Sequence, residues 1–280
     1  MQFLQEMCLN AAQSNTMTAE AKEYKKNYTG GPTDPEQAKA SAGMGALAVQ
    51  GITLYPVPNP LPDYEDAVAT DRCKILCCGL GGTTLAVANL YGWTGGSKGS
   101  KEAARTDDII SIIRMQFSVM PKGPKAICGD FNGTLDAFPN IQLMLNEEGW
   151  TDVGNDPKFC GGKPGWFACH ANAEAKESRL DYIITNDRLT TAVVSCKVDE
   201  TADFPTHRPI SVEIETQKLE VKTNQLQTPT NFAGLMEEKV QKEFKELEQL
   251  HYEKNEEGRK EADQESGHQL HQSETYQGPP

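Results

Sequence analysis

The feature that most narrows what this chain can fold into is an abrupt stop at Gly129. In Pro124-Lys125-Ala126-Ile127-Cys128-Gly129-Asp130-Phe131-Asn132, a short apolar run of strand length meets glycine and then offers a carboxylate and a carboxamide two positions apart. A strand ending this way presents Asp130 and Asn132 from its carboxyl edge, and glycine permits the sharp exit. Gly-Asp-x-Asn is also simply a good turn sequence. Its weight comes from what accompanies it. Ser178-Arg179-Leu180-Asp181-Tyr182-Ile183 and Thr206-His207-Arg208-Pro209-Ile210 lie downstream, and Gln5-Glu6 and Asn89-Leu90-Tyr91 lie upstream.

Around that strand the pattern is mixed. Residues 1–6 read as the end of a strand, with helix-compatible sequence to about Lys26 and a turn-rich stretch over 27–41. Residues 46–49 and 52–55 read as strands joined by a turn, and the proline cluster over 56–62 separates them from the next strand pair. Strands are predicted over 74–78 and 83–90, linked by Gly79-Leu80-Gly81-Gly82. No Lys-Ser/Thr pair comes after these glycines, so they do not form a phosphate loop. Apolar residues at Ile109, Ile110, Ile112, Ile113, Met115 and Phe117 predict a helix over 101–120 packed on a sheet, and a second helix over 140–148 closes at Gly149. Strands over 179–185, 191–198 and 210–214 complete the set. Strands outnumber helices and recur in neighbouring pairs, which predicts a mixed, largely antiparallel α/β (α+β) arrangement.

The chain's 280 residues can bury a substantial core. Net charge is −13, and the part before Gln217 holds 27 acidic against 19 basic residues. That balance counts against tight non-specific DNA binding, which draws on Lys and Arg to neutralise phosphates, while leaving room for a local basic cluster. Eight scattered cysteines, several in apolar strand-like runs, read as buried reduced thiols rather than a zinc set. No stretch has the roughly 18 apolar residues of a membrane span, and no signal-peptide pattern opens the chain, so an intracellular location is expected.

The ordered motifs resemble the endonuclease/exonuclease/phosphatase superfamily, the DNase I-like metal-dependent phosphodiesterases, from about Phe3 to Glu215. Within it the likeness is greatest to non-LTR retrotransposon and abasic-site endonuclease domains. The resemblance implies a two-sheet β-sandwich flanked by helices, with a catalytic cleft at one edge, and a DNA substrate. It makes Glu6 a ligand for Mg2+ or Mn2+, a role suited to carboxylate oxygen. Asp130 becomes the water-orienting or general-base carboxylate, with Asn132 on the same phosphate or water. Asp181 and His207 form the carboxylate–histidine pair that stabilises growing charge at phosphorus, and Tyr91 hydrogen-bonds the phosphate. Asn89 and Arg179 are weaker substrate-side candidates, together with Trp166 and His170, which equally read as loop side chains covering the core.

Two departures temper the expected activity. The family's closing Ser-Asp-His is Pro205-Thr206-His207 here, a neutral hydroxyl in place of an anionic ligand, and the chain starts at Gln5-Glu6 without the usual first strand. An N-terminally truncated domain with weakened Mg2+ binding is the expectation. The alternatives are a phosphatase or lipid phosphodiesterase of the same fold, or a catalytically degenerate interaction domain. The nuclease-like domain is expected over 1–216, then a linker over 217–230, a charged amphipathic helix over 231–262 that reads as a solvated helical linker or, alternatively, as a coiled-coil or docking helix for self-association, and a disordered polar tail over 263–280.

Overall fold

The computed structural model describes residues 1–5, 9, 11–30, 43–80, 82–162, 178–201, 207–219, 245–250 and 252–253. The chain divides into two units, Met1–Lys222 and Thr223–Pro280. In the second, residues 245–250 and 252–253 are helical, and Leu247 and Leu250 are exposed.

The first unit is built on a six-stranded sheet. Its order is β4 (Leu54–Pro56), β5 (Cys73–Leu80), β6 (Thr83–Tyr91), β7 (Lys125–Asp130), β9 (Asp181–Thr185) and β8 (Thr151–Asp152). Every pairing is antiparallel except β6 with β7. That exception has a cause in the chain: a parallel pair needs a long crossover, and α3 (Lys101–Val119) provides it. Ser100 caps α3, its Oγ accepting from the Ala103 N–H, and Ala103, Thr106, Ile109, Ile110, Ile113 and Phe117 form the buried stripe.

Alternation along the strands separates two apolar layers. Ala86, Ala88 and Leu90 of β6, with Ile127 and Ile184, face the layer beneath α3, α2 (Pro62–Ala69) and α4 (Pro139–Glu147). Leu85 and Val87, with Ala126 and Cys128, face the opposite layer. There Phe3 of β1 (Gln2–Leu4) and Ile214 of β11 (Ile210–Ile214) pack against them. Two small sheets supply that second layer. One is β1, β3 (Gly45–Val49) and β2 (Lys26–Gly30) in the order β1-β3-β2, and the other pairs β10 (Val193–Val198) with β11. The result is the expected sandwich of sheets with helices outside.

Some local expectations change. The strands on either side of Gly51 do not pair with each other: β3 joins β1 and β2, whereas β4 joins β5. Alternation identifies a strand but does not choose its partner. The first helix ends at Glu23 (α1, Ala11–Glu23) and residues 26–30 form β2. The proline cluster does more than break structure, because Pro62 opens α2 with the fixed φ that a first helical turn accepts. A short helix, α5 (Asp187–Thr190), precedes β10. The stretch expected to be linker from 217 begins inside a 3-10 turn, Thr216–Leu219, because Leu219 is buried in the second layer.

The six described cysteines, Cys73, Cys77, Cys78, Cys128, Cys160 and Cys196, are buried free thiols. Burial pushes Cys73 and Cys128 up to about 12, and Cys77 and Cys196 up to about 11. Native protein at pH 8 is therefore expected to react with a thiol reagent at these four positions only on unfolding. The linkage has a sign: above about pH 9 the unfolded chain binds fewer protons than the native one, so stability falls as pH climbs from 9 toward 12. Denaturant midpoints at pH 8 and pH 10, the second lower, check this.

Candidate active site

Three neighbouring strands bring three of the expected residues into one row. Tyr91 ends β6 opposite Asp130, which ends β7 opposite Asp181, the first residue of β9. His207 reaches the same row. Its Nδ1 lies 2.8 Å from Asp181 Oδ2, and its Nε2 lies 3.9 Å from Asp130 Oδ2. The first distance is a hydrogen bond; the second is too long for one. The Asp130 side chain is 8 % exposed and that of His207 is 32 %, so the imidazole stands at the solvent side of a nearly buried carboxylate.

Local backbone geometry produces this arrangement. Gly129 has φ +143°, and a Cβ there would run into the Leu90 carbonyl of β6 and the Gln5 side chain. Phe131 turns inward, fully buried, its ring 6.0 Å from Phe138 and 5.2 Å from Tyr182. With Phe131 inside, its two neighbours stay at the edge. Asn132, at φ +52°, donates its backbone N–H to Asp130 Oδ1 at 2.8 Å and its side-chain N–H to the Gly92 carbonyl at 3.1 Å. Replacing Gly129 by alanine meets both the unfavourable φ and the clash, and is expected to cost about 1–3 kcal/mol or more. Urea unfolding of the variant measures it.

Gln5 is the contributor that sequence reasoning passed over. Its Nε2 donates to Asn89 Oδ1 at 2.8 Å and the Leu90 carbonyl at 2.9 Å, and its Oε1 accepts from the Asp130 N–H at 3.2 Å. One carboxamide thus ties β6 to β7 at the residue that carries the carboxylate. Asn89, 1 % exposed, returns a bond to the Leu4 carbonyl at 3.0 Å. Its amide is spent inside the protein rather than facing a ligand. Arg179 is similarly engaged, its guanidinium making paired bonds of 2.6 and 2.5 Å to Asp152 and lying 4.6 Å from the Tyr182 ring. The polar character of Gln5, directly before Glu6, was the available signal.

Glu6, Trp166, His170 and Thr206 lie outside the described residues. Among the described residues, no group of three His, Cys, Asp or Glu side chains is arranged to hold a metal ion. The donors that do converge, Asp130 and Asp181, are carboxylates, which is the chemistry a hard divalent cation takes.

No protein-family model matches the chain, and no curated protein matches it. Solved structures do. The catalytic domain of Xenopus laevis APE2 aligns with a TM-score of 0.58 at 14% identity, over 76% of this chain and 82% of that one. The Neisseria 3' phosphatase NExo, bound to a product DNA hairpin, aligns at 0.55 and 15% identity, over 76% and 88%. An AP endonuclease from Archaeoglobus fulgidus aligns at 0.52 and 15%, with the same coverage. The chain has the DNase I-like fold of the endonuclease/exonuclease/phosphatase superfamily. On this DNase I-like framework, the row from Tyr91 to Asp181 lies at one edge of the larger sheet, where three strand ends meet.

Proposed function

We propose that this chain is a metal-dependent phosphodiesterase acting on DNA, an endonuclease of the retrotransposon type. The observation that carries the reading is the shared edge of Tyr91, Asp130, Asp181 and His207, with the Asp181–His207 hydrogen bond in place. Structures of the same fold include AP endonucleases and a 3' phosphatase held with product DNA, which supports DNA as the substrate class. The retrotransposon assignment rests on the order of the sequence motifs.

Each side chain has a task set by its surroundings. Asp181 fixes the His207 tautomer and favours the imidazolium, which then stabilises negative charge developing at phosphorus. Asp130 has one oxygen engaged by the Asn132 N–H and the other turned toward His207. It orients the attacking water and accepts its proton. Tyr91 hydrogen-bonds a phosphoryl oxygen. Glu6 would hold Mg2+ or Mn2+, a reading supported by the anchoring of its neighbour Gln5 to Asp130. When bound, the ion supplies charge neutralisation at the phosphoryl oxygens. With Thr206 in place of an anionic ligand, ion affinity and turnover are expected to be reduced.

Nicking of supercoiled plasmid in Mg2+ or Mn2+, against EDTA, tests this reading. Metal-dependent nicking supports it. A 3'-phosphorylated oligonucleotide assayed in parallel separates phosphatase from endonuclease chemistry, and no heat on titration with Mg2+ together with no turnover would leave a degenerate domain.

A further inference from the structure

A stack of alternating rings and guanidinium groups leads away from the proposed active-site edge. The Arg72 guanidinium lies 4.9 Å from the centre of the Tyr91 ring and 3.8 Å from that of Trp93, and Arg105 lies 3.3 Å from the Trp93 ring centre. Tyr91 is the member at the candidate catalytic row; Arg105 is the member in solvent. Arg72 is 6 % exposed and donates to the Gly92 carbonyl at 2.9 Å, the same oxygen that receives the Asn132 side chain. Trp93 is pinned to α3 by its backbone N–H, which donates to Thr106 Oγ1 at 2.9 Å. The two middle members of the stack are therefore fixed, one to the Gly92 carbonyl and the other to α3.

Arg105 has a ring rather than a carboxylate beside it. Arg114 is paired with Glu148, Arg179 with Asp152, Lys98 with Asp136 and Lys218 with Glu215. Asp107, two residues along α3 from Arg105, accepts instead from the Asn140 backbone and side chain. Among the described residues, the one interaction of the Arg105 guanidinium is with Trp93. A guanidinium held over an aromatic ring keeps its edge N–H groups for bidentate contact with phosphate, and the ring restrains it beforehand. Trp93 is two residues from Tyr91, so their Cα atoms are at most about 7 Å apart.

We infer that Arg105, held on Trp93, binds a backbone phosphate of a nucleic-acid strand whose scissile phosphate lies at the Tyr91–Asp130 edge. The inference rests on the proposed DNA reading and extends it: this stack gives an acidic protein a local cationic contact for its substrate. Lys101, exposed four residues earlier on α3, supplies a control charge without a ring beneath it.

The test measures binding alone, by fluorescence anisotropy of a short fluorescein-labelled DNA duplex in EDTA. Wild type, R105A, R105K and K101A are compared between about 50 and 200 mM salt. R105A is expected to weaken Kd about fivefold to tenfold at the lower salt and to reduce the slope of log K against log salt by about 0.9, one phosphate's worth. R105K retains the slope but recovers only part of the affinity, since an ammonium cannot make the bidentate contact. If wild type binds and R105A binds equally well, the Arg105 site is wrong while the DNA reading stands. If K101A loses as much as R105A, the effect is diffuse charge and the site is again wrong. If wild type does not bind the duplex in EDTA, the Arg105 site falls, and nicking in Mg2+ or Mn2+ decides the DNA reading separately.

Discussion

Replacing Asp130 with asparagine is expected to lower kcat for DNA nicking by about 10²–10⁴-fold, the usual range for loss of a positioned general base. The substitution is chosen for what it retains. Asparagine keeps an oxygen to accept the Asn132 N–H, now bonded to Asp130 Oδ1 at 2.8 Å, so the turn that places Asn132 survives. Alanine would remove that acceptor as well, leaving a half-buried N–H unpaired at a further cost of about 1 kcal/mol. Comparable kinetic losses in D130N and D130A, with a lower denaturant midpoint only in D130A, would show that the carboxylate acts on the reaction rather than on the fold. Full activity in D130N would remove Asp130 from the chemistry. D181N gives an independent arm. It removes the charge facing His207 Nδ1 while keeping an oxygen that can accept its hydrogen bond, so a fall in kcat with an unchanged denaturant midpoint would place the Asp181 carboxylate in the reaction.

What was legible in the sequence was local. Gly129 was legible through its company: Gly-Asp-x-Asn alone is a turn sequence, and the motifs before and after it along the chain gave it weight. Asp181 was legible through its motif, Ser178-Arg179-Leu180-Asp181-Tyr182-Ile183, although the strand expected from Arg179 begins only at Asp181, because alternation marks a strand's faces more sharply than its end. The helices α3 and α4 announced themselves through spacing and a closing glycine. Partners were not legible. That residues 54–56 pair with β5, while residues 45–49 pair with β1 and β2, depends on layers assembled from distant segments. The Gln5 clamp spans 125 positions to reach Asp130. A carboxamide at a strand end carries no mark of which backbone it will join. Arg72 was invisible for the same reason, since its value comes from the two rings it lies between.

Removing the Arg179 side chain is expected to be among the most destabilising single changes away from the apolar core. Arg179 and Asp152 meet through two hydrogen bonds with their side chains only 15 % and 10 % exposed, so alanine at either position leaves a largely buried charge uncompensated. Breaking such a pair costs about 3–5 kcal/mol, and the residual exposure argues for the lower end. The consequence extends to the site. The Arg179 carbonyl accepts from the Tyr182 hydroxyl at 2.6 Å, and its guanidinium stacks on that ring, so the pair holds the chain immediately before Asp181. R179A should therefore weaken both folding and the His207–Asp181 contact. The double variant R179M/D152L separates the two consequences: with neither charge left, stability should recover much of its loss. Catalysis should recover with it only if positioning of β9, rather than the guanidinium itself, is what the reaction uses. A double variant that is stable yet as slow as R179A would instead give Arg179 a direct part in substrate binding, against the placement of its guanidinium on Asp152.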